Sequence, residues 1–176
     1  MPRLDGKVAL IVGGGQSLGA SICRRFGAEG AKVIVGDLNE ELAEQVAEEI
    51  QGQGGEAIAQ TMDMTSAAEV AGAVDRCSEV FGSLDILVCN AAIFGAGKNF
   101  LDIEEAEWAK TIDVNVGGPF LCAQLAAKQM STQDTGGSIV FISSVSGVVA
   151  NENQSDYNTS KHAVIGMMRC IAQDCR

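Results

Sequence analysis

The chain is poor in the residues that mark metal and nucleic-acid proteins. It has 176 residues, one histidine (His162), and no C-x-x-C pair among six cysteines. Zinc sites need cysteine and histidine clustered at short spacing, so no zinc or other metal site is expected. The cysteines stand at 23, 77, 89, 122, 170 and 175. With no secretory signal in Met1–Gly6, they read as reduced thiols of a cytoplasmic protein, with Cys89 and Cys122 in the core. Basic charge is also short: 12 Lys and Arg stand against 23 Asp and Glu, a net charge of −11. Nucleic acid and anionic membrane both require basic patches, so neither is expected as a partner. No apolar run approaches the roughly 18 residues of a membrane span.

What is present is globular. Hydrophobic residues make up 47% and charged residues 20%, enough for one domain with a sizeable core and too short for two. Apolar runs alternate with amphipathic stretches. Strands are expected at Lys7–Val12, Lys32–Gly36, Glu56–Thr61, Leu84–Cys89 and Ser138–Ile142. Helices are expected over Ala20–Glu29, Glu40–Gln51 and Ala67–Phe81, as one long helix from Glu104 to Met130, and from Asp156 to the end. Strand and helix in strict alternation give a parallel sheet with helices on both faces. Nothing divides the chain, so residues 1–176 form a single domain.

The first strand runs into GGGQSLG, Gly13 to Gly19. Such a turn points free backbone N–H groups and the positive end of a helix at a pyrophosphate, and its glycines allow close approach. An acidic residue, Asp37, ends the second strand eighteen positions after Gly19, where a carboxylate can accept hydrogen bonds from an adenosine ribose. The same carboxylate repels a 2′-phosphate, and Leu38 beside it offers no cation. NAD is therefore expected rather than NADP. Taken alone, Asp37 could equally be an exposed helix-start residue.

Further on, Ser144 precedes Tyr157 by thirteen residues and Tyr157 precedes Lys161 by four. Residues four apart on a helix share a face. A free phenol titrates near 10, and an ammonium held beside it favours the phenolate, which suits general acid–base chemistry at neutral pH. A serine from a neighbouring element could hydrogen-bond the same substrate oxygen. His162, beside Lys161 in sequence, reads as a surface or packing residue.

Together these segments resemble a short-chain dehydrogenase/reductase, over essentially the whole chain. Gly13 and Gly19 match the ends of the family's T-G-x-x-x-G-x-G turn, with Gly15, Gln16, Ser17 and Leu18 between them. Asp63, followed by Met64, is similar to the acidic residue that meets the adenine ring. Asn90 and Ala91, with Ala92, match part of the N-N-A-G segment over the cofactor. Asn115 resembles the helix asparagine of a water-linked proton relay, and Ser144, Tyr157 and Lys161 the catalytic set. The resemblance implies a Rossmann-type doubly wound, three-layer α/β/α fold with strand order 3-2-1-4-5. It also implies an NAD-dependent oxidoreductase that interconverts a small secondary alcohol and its ketone. Tyr157 would move the proton, Ser144 position the oxygen, and Lys161 favour the phenolate and bind the nicotinamide ribose, beside the cofactor contact of Tyr157. Homo-oligomers through the last two long helices are implied as well. Outside that context, Ser144 reads as a strand-end hydroxyl capping a turn, and Asn115 as a helix residue bonding backbone.

Several positions depart from the family. Val12 replaces a threonine, Ser17 a glycine, Cys89 an asparagine and Ala92 a glycine. Val12 and Cys89 are expected to lose hydrogen bonds between strands, roughly 0.5–1.5 kcal/mol each. The family also runs on for about seventy residues, so the sequence reads as a fragment or as half of an assembly completed by a partner. A non-catalytic nucleotide-binding or interaction module is accordingly the alternative reading. Phe94–Phe100 and Val148–Ser155 are expected to border the substrate pocket, with Phe94, Val148 and Val149 as an apolar wall.

Overall fold

The structure is a computed structural model that describes residues 2–175. Five strands form one parallel sheet: β1 (Val8–Val12), β2 (Lys32–Asp37), β3 (Glu56–Thr61), β4 (Ile86–Cys89) and β5 (Ser138–Phe141), in the order β3-β2-β1-β4-β5. Six α-helices connect and flank them: α1 (Ser17–Ala28), α2 (Glu40–Gly52), α3 (Ala67–Phe81), α4 (Glu105–Ile112), α5 (Gly118–Met130) and α6 (Ser155–Asp174).

The pleat explains the uninterrupted apolar strands. Val8, Leu10 and Val12 point to one face, where they pack with Ile34, Met62 and Leu87 against α3 and α5. Ala9 and Ile11 point to the other, with Val33 and Val35 against α1 and α2. A strand covered on both faces has no polar face to alternate with. This is the expected three-layer arrangement, and every expected strand appears within two residues of its reading.

Helix starts follow local chemistry. The Asn39 side chain accepts from Leu42 N (3.1 Å) to open α2, and Ser66 accepts from Glu69 N to open α3. The expected long helix from Glu104 to Met130 is instead two helices joined by a π-helical turn, Asp113–Gly117. Its bonding shifts to i→i−5, with Gly118 N donating to Asp113 O. Pro119 has no N–H to give the Asn115 carbonyl four residues earlier, so a regular α-helix is broken there in any case.

Parallel strands bring all their carboxyl ends to one edge. Val12 is level with Gly36 and Cys89, Asp37 with Thr61, and Cys89 with Phe141. The loops that follow these residues carry the site, at the point where the chain order reverses between β1 and β4.

Candidate active site

The glycine turn is built against three neighbours. Gly13 has φ +78 and donates its N–H to Gly36 O (2.7 Å), and an added Cβ would lie 2.7 Å from the Ala91 Cβ. Only glycine satisfies both the backbone and the space. A Cβ on Gly19 would collide with the Gly13 carbonyl, and Asn90 Nδ2 donates to that same oxygen (2.8 Å). Beneath the turn, burial pushes the Cys23 thiol up to about 12. Gln16, Ser17 and Leu18 stand exposed at the start of α1, and no side chain caps that helix. Its first-turn N–H groups are therefore free to meet an anion. Ser17 has φ +48, so a serine holds the left-handed conformation where the family has glycine.

Asp37 is half-buried and bridges the turn to β2. Its Oδ2 accepts from Gly15 N (2.9 Å) and its Oδ1 from Asn39 N (3.0 Å). A carboxylate has about four acceptor positions, so two remain for a ribose diol. Leu38 beside it is 71% exposed. Asp63 Oδ1 accepts from Thr65 N and Oγ1, both at 2.8 Å, and these bonds hold its carboxyl below the usual range. The Met64 side chain is buried against Gly118 in the core, which leaves only its main chain for a ligand. Ala92 is exposed just beyond Asn90 and Ala91.

Tyr157 and Lys161 come together as the helical spacing requires. Lys161 Nζ lies 5.7 Å from the Tyr157 ring centroid and donates to Ile142 O (3.0 Å). The lysine is buried, and desolvation lowers its pKa. On its other side the Tyr157 ring stacks on Phe94, with centroids 5.1 Å apart and planes inclined by 29°. Ser144 begins a single 3-10 turn (Val145–Gly147) after β5, and its Oγ accepts from Ser146 N (3.1 Å). This is the capping geometry that the bare serine suggested, yet its hydroxyl proton stays available for a substrate oxygen. Ser143 Oγ donates to Lys161 O (2.9 Å), and Gly147 packs closely on the same carbonyl. The serine loop is thus fastened to the helix of Tyr157.

Asn115 is buried in the π-helical turn, and its side chain makes three hydrogen bonds. Oδ1 accepts from Ile93 N (2.8 Å), while Nδ2 donates to Ile93 O (2.8 Å) and to Ser160 Oγ (3.1 Å). The backbone-bonding alternative for this residue is therefore real. What remains for a relay is its main-chain carbonyl, which Pro119 cannot serve.

Asp156, which the sequence reading missed, is fully buried beside Tyr157. It accepts from Ala96 N (2.8 Å), Thr111 Oγ1 (3.0 Å) and Tyr157 N (2.8 Å). The available signal was an acidic residue in the first turn of the tyrosine helix, opposite a glycine-bearing loop. All six cysteines are free, four of them buried. Among the described residues no cluster of His, Cys, Asp and Glu could hold a metal ion, and no helix is long and apolar enough to cross a membrane.

Residues 7–176 match the model of the short chain dehydrogenase family. Zerumbone synthase of Zingiber zerumbet is 39% identical over 175 residues, covering 98% of this chain and 64% of that protein. An uncharacterized oxidoreductase of Bacillus subtilis, YuxG, is 41% identical over 170 residues, which are 96% of this chain and 24% of that one. The solved structure of a 7α-hydroxysteroid dehydrogenase, in complex with NADH and 7-oxo glycochenodeoxycholic acid, superposes with a TM-score of 0.93 at 38% identity, covering 98% of this chain and 67% of that structure. The chain thus spans between a quarter and two thirds of these proteins' lengths. A family match over nearly every residue, on a 3-2-1-4-5 sheet with these strand-end loops, places the chain in the short-chain dehydrogenase family of oxidoreductases.

Proposed function

We propose that this chain holds the cofactor site and proton-transfer residues of an NAD-dependent enzyme interconverting a secondary alcohol and a ketone. The carrying observation is the meeting of two constellations at one sheet edge. Tyr157 with Lys161 stands at one end of that edge, and an uncapped glycine turn tied to Asp37 at the other. The turn and the carboxylate fit an adenosine ribose and a pyrophosphate, with Asp63 and the Asn90–Ala92 segment alongside. Asp37 and exposed Leu38 disfavour a 2′-phosphate, which supports NAD over NADP. When bound, the nicotinamide supplies a hydride acceptor or donor.

The chain's own residues handle the proton and the geometry. The Tyr157 hydroxyl gives a proton to the substrate oxygen in reduction and takes it in oxidation. Ser144 donates its hydroxyl hydrogen to that oxygen and fixes its position. The Lys161 ammonium stabilises negative charge developing on the phenol. Its burial makes its own proton easier to release, and the Asn115 carbonyl can hold a water through which that proton is replaced. Phe94, Val145, Val148 and Val149 are all exposed around these groups, an apolar surround suited to a small apolar alcohol or ketone in a cytoplasmic setting.

The test is a fluorescence titration with NADH and NADPH, followed by turnover on a panel of alcohols. Saturable binding that favours NADH is expected, with Asp37→Ser narrowing the preference. Tyr157→Phe is expected to lose at least 100-fold in kcat, the scale of a proton-transfer group, with NADH affinity held within about threefold. An unchanged cofactor preference in the Asp37 variant removes the ribose assignment, and near-normal turnover in the tyrosine variant removes the proton-transfer role.

A second reading, an interaction module pairing with other subunits, is favoured by one surface. Trp108 and Ile112 of α4, Phe120 of α5 and Met167 of α6 line an open apolar groove of about 620 Å³. We propose this face as the seat of homo-oligomerisation. Sedimentation showing the same mass for the parent and Phe120→Glu would dismiss it.

A further inference from the structure

Asp156 makes none of the contacts that hydride or proton transfer requires, yet it is the most enclosed carboxylate in the described chain, at 0% exposure. We propose that Asp156 is a positioning residue that sets the tyrosine ring against the loop carrying Phe94. This deepens the reading of Tyr157 as the proton-transfer group and rests on it.

Three segments distant in sequence converge on this one side chain. Oδ1 accepts from Tyr157 N at the start of α6. Oδ2 accepts from Ala96 N in the loop after β4 and from Thr111 Oγ1 on α4. The loop is shaped to receive it: Gly95 has φ +84, and a Cβ there would lie 2.6 Å from Asp156 Oδ2. Phe94, next to Gly95, stacks on Tyr157, the residue next to Asp156. One carboxylate therefore holds both partners of the stack by their adjacent backbone. Displacing a reacting group by about 1 Å can cost about 100-fold in rate, so the side chain that fixes this register governs kcat.

The donor count makes the role specific to a carboxylate. Two backbone N–H groups approach different oxygens, so both oxygens must accept. An asparagine in the same pose can accept from Ala96 N or from Tyr157 N, but its NH₂ faces the other N–H. Asp156→Asn therefore keeps the volume and releases either the loop or the tyrosine end.

The chain contains a single tyrosine, so 3-fluorotyrosine labelling gives one ¹⁹F resonance that reports the Tyr157 ring directly. The full chain labelled this way is compared with Asp156→Asn and with Thr111→Val, which removes the hydroxyl that Asp156 Oδ2 shares with the Glu107 carbonyl and leaves both backbone N–H bonds to Asp156 in place. The expected result is a shifted or exchange-broadened resonance in Asp156→Asn, and a smaller change of the same sign in Thr111→Val. In turnover, kcat of Asp156→Asn is expected to fall about 10- to 100-fold with NADH affinity within about threefold. A folded Asp156→Asn with the parent's resonance and only a lower melting temperature overturns the proposal. Should that variant not fold, an unmoved resonance in Thr111→Val overturns it instead, and a moved one supports it. Because the resonance is read without substrate, failure of the proposal is separable from failure of the enzyme reading, which would show as a resonance moved in Asp156→Asn while the parent turns nothing over.

Discussion

Val12 and Cys89 are level with each other across β1 and β4, and both side chains lie in the same buried cluster as Cys122, Met62 and Met64. Read along the sequence, each looked like a lost hydrogen bond. In the fold the two positions are neighbours in one apolar cluster, and replacing both members of such a pair can be nearly neutral where replacing one is not. Val12→Thr alone should then destabilise the chain by about 1–3 kcal/mol, since it buries a hydroxyl among apolar atoms. Val12→Thr with Cys89→Asn should cost less than the sum of the two single changes. Urea midpoints of the four proteins close the cycle, and strictly additive costs would deny the pairing. Ser17 differs in kind, because its departure remains uncompensated: it holds φ +48 with a side chain present. The glycine preference of the turn was legible in the sequence at Gly13 and Gly19. The left-handed backbone at Ser17 was not, since no serine advertises it.

The elements most legible in advance were those whose signal is local. Ala67–Phe81 appears with the expected bounds, because an N-cap serine, apolar periodicity and a terminal glycine all agree there. The stretch Glu104–Met130 was legible as helical but not as interrupted. A π-helical turn arises from a competition the linear pattern hides, between the missing N–H of Pro119 and the three hydrogen bonds that Asn115 makes to Ile93 and Ser160. Those bonds join the loop after β4 to α6, the two elements carrying Phe94 and Tyr157. Asn115→Leu keeps the approximate volume but removes all three, at about 1 kcal/mol each. A loss of about 3 kcal/mol in unfolding free energy is expected, together with faster amide exchange at Ile93. Protection at Ile93 equal to the parent's would show that the loop is held without Asn115.

At the scale of the whole molecule, the sheet order and the location of the site follow from strand–helix alternation, which is why the fold could be read before the structure. The buried charges could not be read that way, since a lysine or aspartate looks alike in sequence whether solvated or enclosed. Lys161 is the clearest case. Ion-pair contacts that would offset its burial are absent among the described residues; its ammonium donates to the Ile142 carbonyl and lies over the Tyr157 ring. Desolvation therefore lowers its pKa in the fold, whereas the unfolded chain titrates near 10.4. Between the folded and unfolded values the unfolded state binds more protons, so this group makes stability rise with pH across that window. Below it, both states are charged and the fold carries the full desolvation penalty. Above it, both are neutral and the penalty vanishes. Lys161→Met should accordingly be more resistant to urea than the parent at pH 7, even as it loses turnover. That advantage should shrink as pH approaches 10.4, where parent and variant converge. Equal midpoints at pH 7, or an advantage that grows with pH, would mean that the ammonium is stabilised in the fold rather than held there for function.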